Sequence, residues 1–454
     1  FSRPPVFRPP FMSANSRLLR RSLAAVWHPC TQMQHHLGAD PQPLIPVASA
    51  DGAWLTDCDG QRYLDGVSSW WVNLFGHRNP RINAALVEQL QSLEHVMLAG
   101  FTHEPVVALS ERLSALTGGA LGHAFYASDG ASATEIALKM SFHFWRNTGH
   151  AGKSRFLCLA GSYHGETVGA LAVTDVALFK DAYAPLIRAS AVLPSPDARQ
   201  AQVGETAADV AHRAADALDA YLAAHHDEIA ALIVEPIVQC ATGIAIHDPV
   251  YLQRARAACD RYQVHLICDE IAVGFGRTGT FFAHEQAGIR PDFLCLSKGI
   301  TGGYLPLSVV LTTDQVYQAF LDDRVARGFL HSHSYTGNAL ACRAALATLD
   351  IFEQDGVIAA NRRLSDRIDA ALAPLRNDPR VVHYRRAGMI FAFDVRGAGA
   401  DFSRRYYREA LARGALLRPI GNTVYLMPPY ILTDDDVRAL ADATLGALDA
   451  VCPQ

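Results

Sequence analysis

One lysine in this chain stands where its amine could act as a nucleophile. The sequence contains only four lysines: Lys139, Lys153, Lys180 and Lys298. Lys298 alone ends a short apolar run, Asp292–Ser297, and precedes the glycine-rich turn Gly299–Gly303. Burial at a strand end disfavours the charged ammonium and leaves a neutral amine that can attack a carbonyl. The alternative is a lysine that extends from the strand end into solvent.

Like Lys298, a carboxylate lies at the end of a short apolar run. The apolar run Val264–Asp269 ends in Asp269 and Glu270. Ligands of open α/β sheets bind at the carboxyl ends of the strands. A carboxylate beside a pyridine nitrogen keeps that nitrogen protonated, and the ring then acts as an electron sink. Asp269 and Lys298 therefore predict a pyridoxal 5'-phosphate site with Lys298 as the Schiff-base lysine, although Asp269 alone could equally cap a helix.

Further motifs predict the rest of such a site. The turn Ser128–Ala131, which contains Asp129 and Gly130, joins a predicted strand to a helix, where free N–H groups favour a phosphate. Tyr163 follows another predicted strand and could cover a flat ring. Trp70 and Trp71 could form an apolar wall of a substrate pocket, or could simply pack in the core.

The pattern of elements predicts the α/β fold class. Short apolar runs alternate with helical patterns, as expected for a largely parallel sheet that is covered on both faces. Ser132 and Glu135 are predicted to form a capping box at the start of one helix. The predicted strands are Gly122–Ala127, Arg155–Ala160, Ala231–Glu235, Val264–Asp269, Asp292–Ser297 and Leu307–Thr312.

We predict four regions along the chain. They are an N-terminal extension over 1–26, a segment over 27–75 that joins the smaller domain, a large cofactor-binding domain over 76–340 and a C-terminal small domain over 341–454. The stretch Phe1–Phe11 is rich in Pro and Arg, and Met12 is the expected natural start. The beginning of this extension is predicted to be disordered.

Composition narrows the class of protein. Half of the residues are apolar, 19% are charged and the formal net charge is -5, so neither nucleic acid nor a membrane is an expected partner. No apolar run is long enough to span a bilayer. The nine cysteines show no paired spacing, which argues against disulfides and against a metal site. A reducing, cytoplasmic setting is therefore expected.

These residues resemble the class III aminotransferase family. The resemblance rests on the runs Leu266–Glu270, Gly274–Gly279 and Leu296–Gly299. It implies fold type I, with a mostly parallel seven-stranded sheet in the large domain and a smaller α+β domain. It also implies a homodimer in which both subunits contribute to each active site.

The resemblance extends to one branch of the family, over residues 27–430. Members of that branch transfer an amino group from S-adenosyl-L-methionine to 8-amino-7-oxononanoate in biotin biosynthesis, which gives 7,8-diaminononanoate. The segments that carry this likeness are Trp27–Met33, Gly66–Trp71, Tyr163–Thr167, Phe329–Asn338, Arg418–Pro419 and Tyr425–Tyr430.

By this resemblance, residues can be assigned to roles. Asp129 and Gly130 form the phosphate-binding turn, while Tyr163 covers the cofactor ring. Asp269 pairs with the pyridinium nitrogen, and Lys298 bonds the cofactor. The expected substrate-binding residues are Cys30, Trp70, Tyr163, Lys298, Ser332 through its backbone, and Arg418 through a carboxylate. His333 and Ser334 are expected to reach the cofactor phosphate of the partner subunit.

Two departures from the family pattern leave the amino donor open. Cys30 stands where many relatives have Tyr, and His331–Ser334 stands where many read His-Gly-Pro-Thr. Some relatives with the His-Ser form use lysine as donor in place of S-adenosyl-L-methionine. An ω-amino acid aminotransferase, a PLP-dependent mutase and a catalytically inactive scaffold are the competing interpretations. Intact Lys298, Asp269 and Tyr163 argue against the last.

Overall fold

The chain folds around short strands connected by helices. The structure, a computed structural model, describes residues 13–38 and 40–453. The predicted start at Met12 and the stretch Phe1–Phe11 lie outside the described residues. The strands are β1 (Val47–Asp51), β2 (Trp54–Asp57), β3 (Arg62–Asp65), β4 (His123–Ala127), β5 (Arg155–Leu159), β6 (Ala191–Leu193), β7 (Ile229–Val234), β8 (Val238–Gln239), β9 (Ala245–Ile246), β10 (His265–Asp269), β11 (Phe293–Leu296), β12 (Ser308–Thr312), β13 (Val381–Ala387), β14 (Ile390–Val395), β15 (Ala415–Leu416) and β16 (Thr423–Leu426).

Helices connect these strands and cover the sheets. They are α1 (Ala14–Ala25), α2 (Ser68–Trp71), α3 (Pro80–Leu90), α4 (Glu104–Leu116), α5 (Gly130–Asn147), α6 (Val168–Leu171), α7 (Ala177–Lys180), α8 (Ala207–His225), α9 (Val250–Tyr262), α10 (Asp314–Gln318), α11 (Ala339–Gln354), α12 (Val357–Ala371), α13 (Phe402–Ala412) and α14 (Asp434–Val451). None of the helices in the described part of the chain is both long and apolar enough to cross a membrane.

The largest sheet has seven strands in the order β4-β12-β11-β10-β7-β5-β6. All neighbouring pairs from β11 to β6 are parallel, whereas β12 runs antiparallel to both β11 and β4. The predicted mostly parallel seven-stranded sheet is confirmed. Each of the six strands that were predicted individually is present, with small shifts at its ends.

This sheet is buried on both faces, which explains why its strands are apolar at successive positions. Leu266 and Cys268 of β10 belong to one hydrophobic cluster, while Ile267 between them belongs to the cluster on the opposite face. Helix α5 covers that second face with Ile136 and Phe144. Each fully buried side chain of this size contributes roughly 1.5–3 kcal/mol, so this core holds the strand ends in fixed positions.

The start of α5 differs from the prediction. Asp129 is the N-cap, and its side chain accepts a hydrogen bond from the N–H of Ser132 at 2.9 Å. The predicted capping box of Ser132 and Glu135 is therefore wrong. Because an aspartate at the end of the preceding loop already provides the cap, the helix begins earlier, at Gly130.

The remaining sheets connect the two ends of the chain. Strands β1, β2 and β3 form an antiparallel sheet that β15 extends in parallel beside β3. A second small sheet has the order β13-β14-β16. The pairing of β3 with β15 is consistent with our prediction that 27–75 joins the C-terminal small domain. The domain boundaries themselves stay a prediction.

Candidate active site

A cavity of about 390 Å³ opens beside the carboxyl ends of β7 and β10. It brings together residues that are far apart in the sequence and that belong to the N-terminal segment, the α5 turn, the loop after β5 and the ends of the central strands. Its lining residues are Pro29, Cys30, Trp70, Trp71, Asp129, Gly130, Ala131, Tyr163, His164, Gly165, Glu166, Glu235, Asp269, Ile271, Ala272, Val273 and Lys298.

Lys298 is the second residue after β11, and it lines this cavity. Its backbone is left-handed, with φ of 45°, at the start of a short 3-10 turn, Lys298–Thr301. Its amine lies 5.1 Å from the centre of the Trp71 ring. Burial lowers the pKa of the Lys298 amine, and nearby Asp269 opposes that shift. A lowered pKa increases the share of neutral amine, the form required for nucleophilic and base chemistry.

A histidine and a backbone N–H group hold the Asp269 carboxylate in place. The carboxylate is 4% exposed, and its Oδ2 accepts a hydrogen bond from Nδ1 of His164 at 2.7 Å. Its Oδ1 accepts from the N–H of Ile271 at 3.0 Å. His164 is buried, and its Nε2 finds no partner among the described residues. The two bonds fix the direction in which the Asp269 carboxylate faces.

Glu270, the neighbour of Asp269, faces the opposite way. Its carboxylate accepts hydrogen bonds from the N–H groups of Ala283 at 2.6 Å and His284 at 2.8 Å. Nδ1 of His284 also lies 2.6 Å from Oε1 of Glu270. Successive side chains of a strand alternate in direction, so only one of the two carboxylates at the end of β10 reaches the cavity.

The loop that carries Tyr163 is anchored by buried groups. Glu235 accepts hydrogen bonds from the N–H groups of Tyr163 and Cys240, each at 3.0 Å. Burial raises the pKa of Glu235 to about 7, a shift that nearby Asp269 increases and His164 opposes. The hydroxyl of Tyr163 donates to Glu166 at 2.8 Å, and burial raises the pKa of that hydroxyl.

The N-terminus of α5 has free backbone donors. No group in the described part of the chain accepts a hydrogen bond from the N–H of Gly130 or Ala131. Gly165 packs against this turn with φ of 123°, and a Cβ there would approach the Cβ of Ala131 to 2.5 Å. The close approach requires glycine at position 165, and all three residues belong to the cavity lining.

The substrate side of the cavity is built on a left-handed turn. Ser68, Ser69, Trp70 and Trp71 have φ values of 52°, 47°, 71° and 72°. Side-chain hydrogen bonds hold the turn: Ser68 donates to the carbonyl of Met427 at 2.7 Å, and the Trp71 indole N–H donates to the Tyr425 hydroxyl at 3.1 Å. Trp70 is 45% exposed and faces outward, while Trp71 is buried.

The buried side chain of Arg277 holds the Ser68–Trp71 turn in place through hydrogen bonds to backbone carbonyls. Arg277 donates to the carbonyls of Pro428 at 2.7 Å, Asn73 at 3.1 Å and Trp71 at 3.3 Å. It is 1% exposed, and burial lowers the pKa of its guanidinium. The run Gly274–Gly279 thus joins the Trp70–Trp71 turn to the C-terminal part of the chain.

Arg418 lies close to two residues of the cavity lining, Trp70 and Cys30, without being part of that lining. The Arg418 guanidinium is exposed, lies 5.4 Å from the centre of the Trp70 ring and forms no ion pair with any residue that the structure describes. Burial raises the pKa of the Cys30 thiol, as does nearby Glu166, whereas Arg418 lowers it. An unpaired arginine fork beside an aromatic ring is suited to a carboxylate.

Four predicted residues do not line this cavity: Arg418, which lies beside Trp70, and three residues of one segment. Ser332 and Ser334 are exposed, and His333 is half-buried on the segment 330–335. The N–H of His333 donates to the Thr336 hydroxyl at 3.0 Å, and the carbonyl of Ser334 accepts from His95 at 2.8 Å. Their expected roles involve a partner subunit or a substrate and stay predictions.

Sequence reasoning did not single out four residues that build this site. They are His164, Glu166, Glu235 and Arg277. Each lies within or directly beside a motif that was noticed. Glu235 ends the predicted strand Ala231–Glu235, and a carboxylate at a buried strand end was the signal that identified Asp269. The same signal would have found it.

Known proteins resemble this chain over nearly its whole length. Residues 37–448 match the profile of the aminotransferase class-III family. The adenosylmethionine-8-amino-7-oxononanoate aminotransferase of Helicobacter pylori is 46% identical over 446 residues, which cover 96% of this chain and 99% of that protein. The protein of the same name from Geobacter sulfurreducens is 38% identical, over 94% of this chain and 96% of its own.

Solved structures share the fold. The crystal structure of the adenosylmethionine-8-amino-7-oxononanoate aminotransferase from Methanocaldococcus jannaschii aligns with a TM-score of 0.89 and 32% identity, and it covers 96% of this chain and 99% of its own. An amine transaminase from an uncultivated Pseudomonas species, in its PLP-bound form, aligns with a TM-score of 0.88 and 31% identity over 94% of this chain and 99% of its own. The chain therefore belongs to the class-III aminotransferases.

Proposed function

We propose that this enzyme transfers an amino group from S-adenosyl-L-methionine to 8-amino-7-oxononanoate, giving 7,8-diaminononanoate in biotin biosynthesis. The observation that carries the proposal is a cavity in which Lys298 and Asp269 are combined with Trp70. Beside Trp70 lies the Arg418 guanidinium, 5.4 Å from the ring centre and without an ion pair to any residue that the structure describes. A long aliphatic acceptor with one carboxylate matches that arrangement. Relatives named for this reaction support the choice.

The residues at the inner end fit pyridoxal 5'-phosphate. Two free N–H groups at the N-terminus of α5, those of Gly130 and Ala131, suit a phosphate. The carboxylate of Asp269 would pair with a protonated ring nitrogen, Tyr163 would cover the ring and Lys298 would bond the cofactor. Asp129 shapes the phosphate turn through its cap on Ser132. When bound, the cofactor supplies an electron sink for the substrate Cα.

Lys298 is the proposed proton carrier. Its amine would take up the proton at the substrate Cα as a general base and would give a proton back as a general acid. Burial lowers the pKa of this amine, which increases the share of its neutral form. His164 holds the Asp269 carboxylate in place, while the Trp71 ring limits access of water to the Lys298 amine.

Arg418 and Trp70 are the proposed acceptor-binding groups, with Cys30 beside them. A planar guanidinium binds a carboxylate through two parallel hydrogen bonds. The exposed ring of Trp70 provides apolar surface for the methylene chain of the acceptor. Backbone contact of Ser332 with substrate is proposed as well.

A homodimer is part of the proposal, because the segment that carries Ser332, His333 and Ser334 presents apolar surface. Val325, Leu330 and Tyr335 are 73%, 76% and 63% exposed in the single chain. Exposed apolar residues grouped in this way are typical of an interface. In a dimer, His333 and Ser334 would contact the cofactor phosphate of the partner subunit. Sedimentation equilibrium should give a mass of two chains, and a monomer would contradict this.

A cytoplasmic location is also proposed. All nine cysteines are free thiols, and six of them are buried. Protein thiols persist in reducing compartments. Fractionation of cells that produce the enzyme should place it in the cytoplasmic fraction.

A donor screen with a matched pair of variants tests the function. The wild-type enzyme with 8-amino-7-oxononanoate should form 7,8-diaminononanoate with S-adenosyl-L-methionine as donor, while turnover with lysine would identify the alternative donor. Arg418→Lys should raise KM for 8-amino-7-oxononanoate by roughly 10- to 100-fold, because a bidentate charged hydrogen bond is worth about 1.5–3 kcal/mol.

The control for Arg418→Lys is Arg362→Lys, at an exposed arginine of α12 that is not part of the cavity lining. It should leave KM unchanged. PLP retention and the cofactor absorbance spectrum should also be unchanged in Arg418→Lys. Weaker PLP retention with unchanged KM would show that Arg418 belongs to the cofactor end instead.

A further inference from the structure

The β8–β9 hairpin, residues 237–246, lies between the loop that carries Tyr163 (residues 160–166) and the C-terminal part of the chain. Two of its buried residues, Ile237 and Ile244, have a left-handed backbone, with φ of 68° and 55°. This conformation is rare for a β-branched residue and costs free energy. It persists only where the surrounding structure holds it in place, so the contacts on both sides of the hairpin maintain its shape.

On one side, the hairpin contacts the Tyr163 loop directly. The side-chain amide of Gln239 donates to the carbonyl of Ala160 at 3.1 Å. Thr242 packs against Gly161, which has φ of 70°, and a Cβ at Gly161 would lie 3.1 Å from the Thr242 methyl group. The hairpin therefore lies against the first two residues of the loop.

A buried carboxylate connects the hairpin to Tyr163 itself. Glu235 accepts from the N–H of Tyr163 through Oε2 and from the N–H of Cys240 through Oε1, each at 3.0 Å. Because the same buried group bonds both amides, the hairpin and Tyr163 cannot move independently unless one of these bonds breaks. A displacement of the hairpin is therefore expected to displace Tyr163.

On its other side, the hairpin is held by two arginines. Nε of Arg385, on β13, donates to the carbonyl of Ile244 at 2.7 Å, and its Nη2 donates to the carbonyl of Gly243. Arg199 donates to the carbonyls of Thr242 at 3.0 Å and Gly243 at 3.2 Å. Three successive carbonyls of the hairpin are thus bonded by guanidinium groups.

Two carboxylates complete this network. Asp394, on β14, accepts from Nη2 of Arg385 at 2.8 Å and lies 3.6 Å from Nη1 of Arg199. Asp197 lies 2.8 Å from Nη2 of Arg199. The side chains of Arg385 and Asp394 are only 9% and 8% exposed. Removal of one member of such a buried set leaves the charge of its partner poorly compensated, so the geometry of the network is tightly constrained.

An irregularity in β13 brings Arg385 to the hairpin. The pairing of β13 with β14 shifts register between Val382 and Arg385, and His383 between them has φ of 51°. A bulge of this kind changes the direction of the side chain that follows it. The local backbone of β13 is therefore shaped so that Arg385 leaves the regular alternation of the strand and bonds the hairpin.

We infer that Arg385 and Asp394 are positioning residues for Tyr163 and that they act through the β8–β9 hairpin. The inference rests on the role proposed above for Tyr163, which is to cover the cofactor ring. Neither Arg385 nor Asp394 is among the lining residues of the cavity that holds Lys298, so their effect on the reaction is indirect. Tyr163 follows a strand of the seven-stranded sheet, whereas Arg385 and Asp394 belong to the C-terminal sheet. The contact between the two sheets thus sets the position of Tyr163.

Hydrogen–deuterium exchange of the PLP-saturated holoenzyme, measured by mass spectrometry, tests the inference. Arg385→Met removes the charged hydrogen bonds to two hairpin carbonyls, so exchange in the peptides that contain 160–166 and 237–246 should be faster by roughly tenfold or more. The circular dichroism of the bound cofactor in its visible band should change, and kcat should fall by roughly tenfold or more, because Tyr163 is displaced.

Arg385→Lys keeps the positive charge beside Asp394 but lacks the fork that bonds two carbonyls. It should show the same changes to a smaller extent, and it replaces Arg385→Met in the comparison where the methionine variant does not fold.

The matched control is Arg380→Met, which removes an arginine of similar burial just before β13. Arg380 is 13% exposed, pairs with Asp378 and with Asp449 at 2.7 Å, and donates to the carbonyl of Cys452 at 2.6 Å. The variant should lower the urea midpoint of unfolding, as Arg385→Met does. It should leave exchange in 160–166, the cofactor circular dichroism and kcat as in the wild type.

Wild-type exchange rates for 160–166 in the Arg385 variants would overturn the inference, as would an equal acceleration in Arg380→Met. Faster exchange in 160–166 with unchanged kcat and unchanged cofactor circular dichroism would support the coupling and would refute the role proposed for Tyr163 instead.

Discussion

The left-handed turn at Ser68–Trp71 allows a test of backbone strain beside the substrate site. Ser69 has φ of 47° and ψ of 50°, and its hydroxyl donates to Oδ2 of the buried Asp65 at 2.6 Å. We compare Ser69→Ala with Ser69→Gly. Both remove the hydroxyl, but only glycine adopts this backbone conformation without a steric cost.

The magnitude follows from three contributions. Loss of the hydrogen bond to the Asp65 carboxylate costs about 1.5–3 kcal/mol in both variants. Relative to alanine, glycine at position 69 avoids about 1–2 kcal/mol of strain in the left-handed backbone. It also has more conformational freedom in the unfolded chain, which lowers the free energy of unfolding by about 0.5–1 kcal/mol. Ser69→Gly should therefore be more stable than Ser69→Ala by about 1 kcal/mol, and both should be less stable than the wild type.

Urea unfolding monitored by circular dichroism, with PLP at saturation, gives the order of the unfolding midpoints of the variants.

Ser110 in the middle of α4 provides a control at which the order of the glycine and alanine variants should be reversed. Its hydroxyl also forms hydrogen bonds, at 2.7 Å to Val106 and 2.8 Å to Tyr126, but its backbone is helical. There, alanine should be the more stable replacement by about 1 kcal/mol. If Ser69→Gly unfolds at no higher urea concentration than Ser69→Ala, the turn is not strained and the reasoning fails.

Three further predictions concern the inner end of the cavity. Lys298→Ala should abolish turnover, and borohydride should then fix no cofactor to the protein; a fixed adduct detected by mass spectrometry would contradict the assignment. Asp269→Asn should keep the fold but cost several kcal/mol of transition-state stabilisation, because the ring nitrogen loses its ionic partner; near-normal single-turnover rates at neutral pH would rule this out. Glu235 has a pKa of about 7 in the folded protein, against an ordinary value of 4.5. Between these two pH values the folded state binds more protons than the unfolded state. The free energy of unfolding should therefore fall by about 3 kcal/mol as the pH rises from 4.5 to 7. Glu235→Gln should lack this decrease when unfolding is measured across the window, whereas an unchanged slope would show that another group titrates.

Much of the fold and part of the site follow from local patterns in the sequence. A strand that is buried on both faces is a short apolar run in the sequence, independently of which strands it pairs with. The positions of six strands could therefore be predicted: β4, β5, β7, β10, β11 and β12. Lys298 and Asp269 were found because each ends such a run. The cap of α5 was misassigned because two plausible capping sequences lie within a few residues of each other, and local sequence alone does not choose between them.

Other features depended on contacts between distant parts of the chain. The sequence Ser68–Trp71 contains no glycine, and its intrinsic preferences oppose a left-handed turn. Bonds from Asp65, Met427, Tyr425 and Arg277 select that conformation. In the same way, only tertiary packing turns Asp269 toward the cavity against His164, and only packing brings Arg418 over the ring of Trp70. Residue type and spacing thus determined which groups were available for chemistry. The tertiary structure decided which of them meet, because those contacts join segments that no local pattern connects.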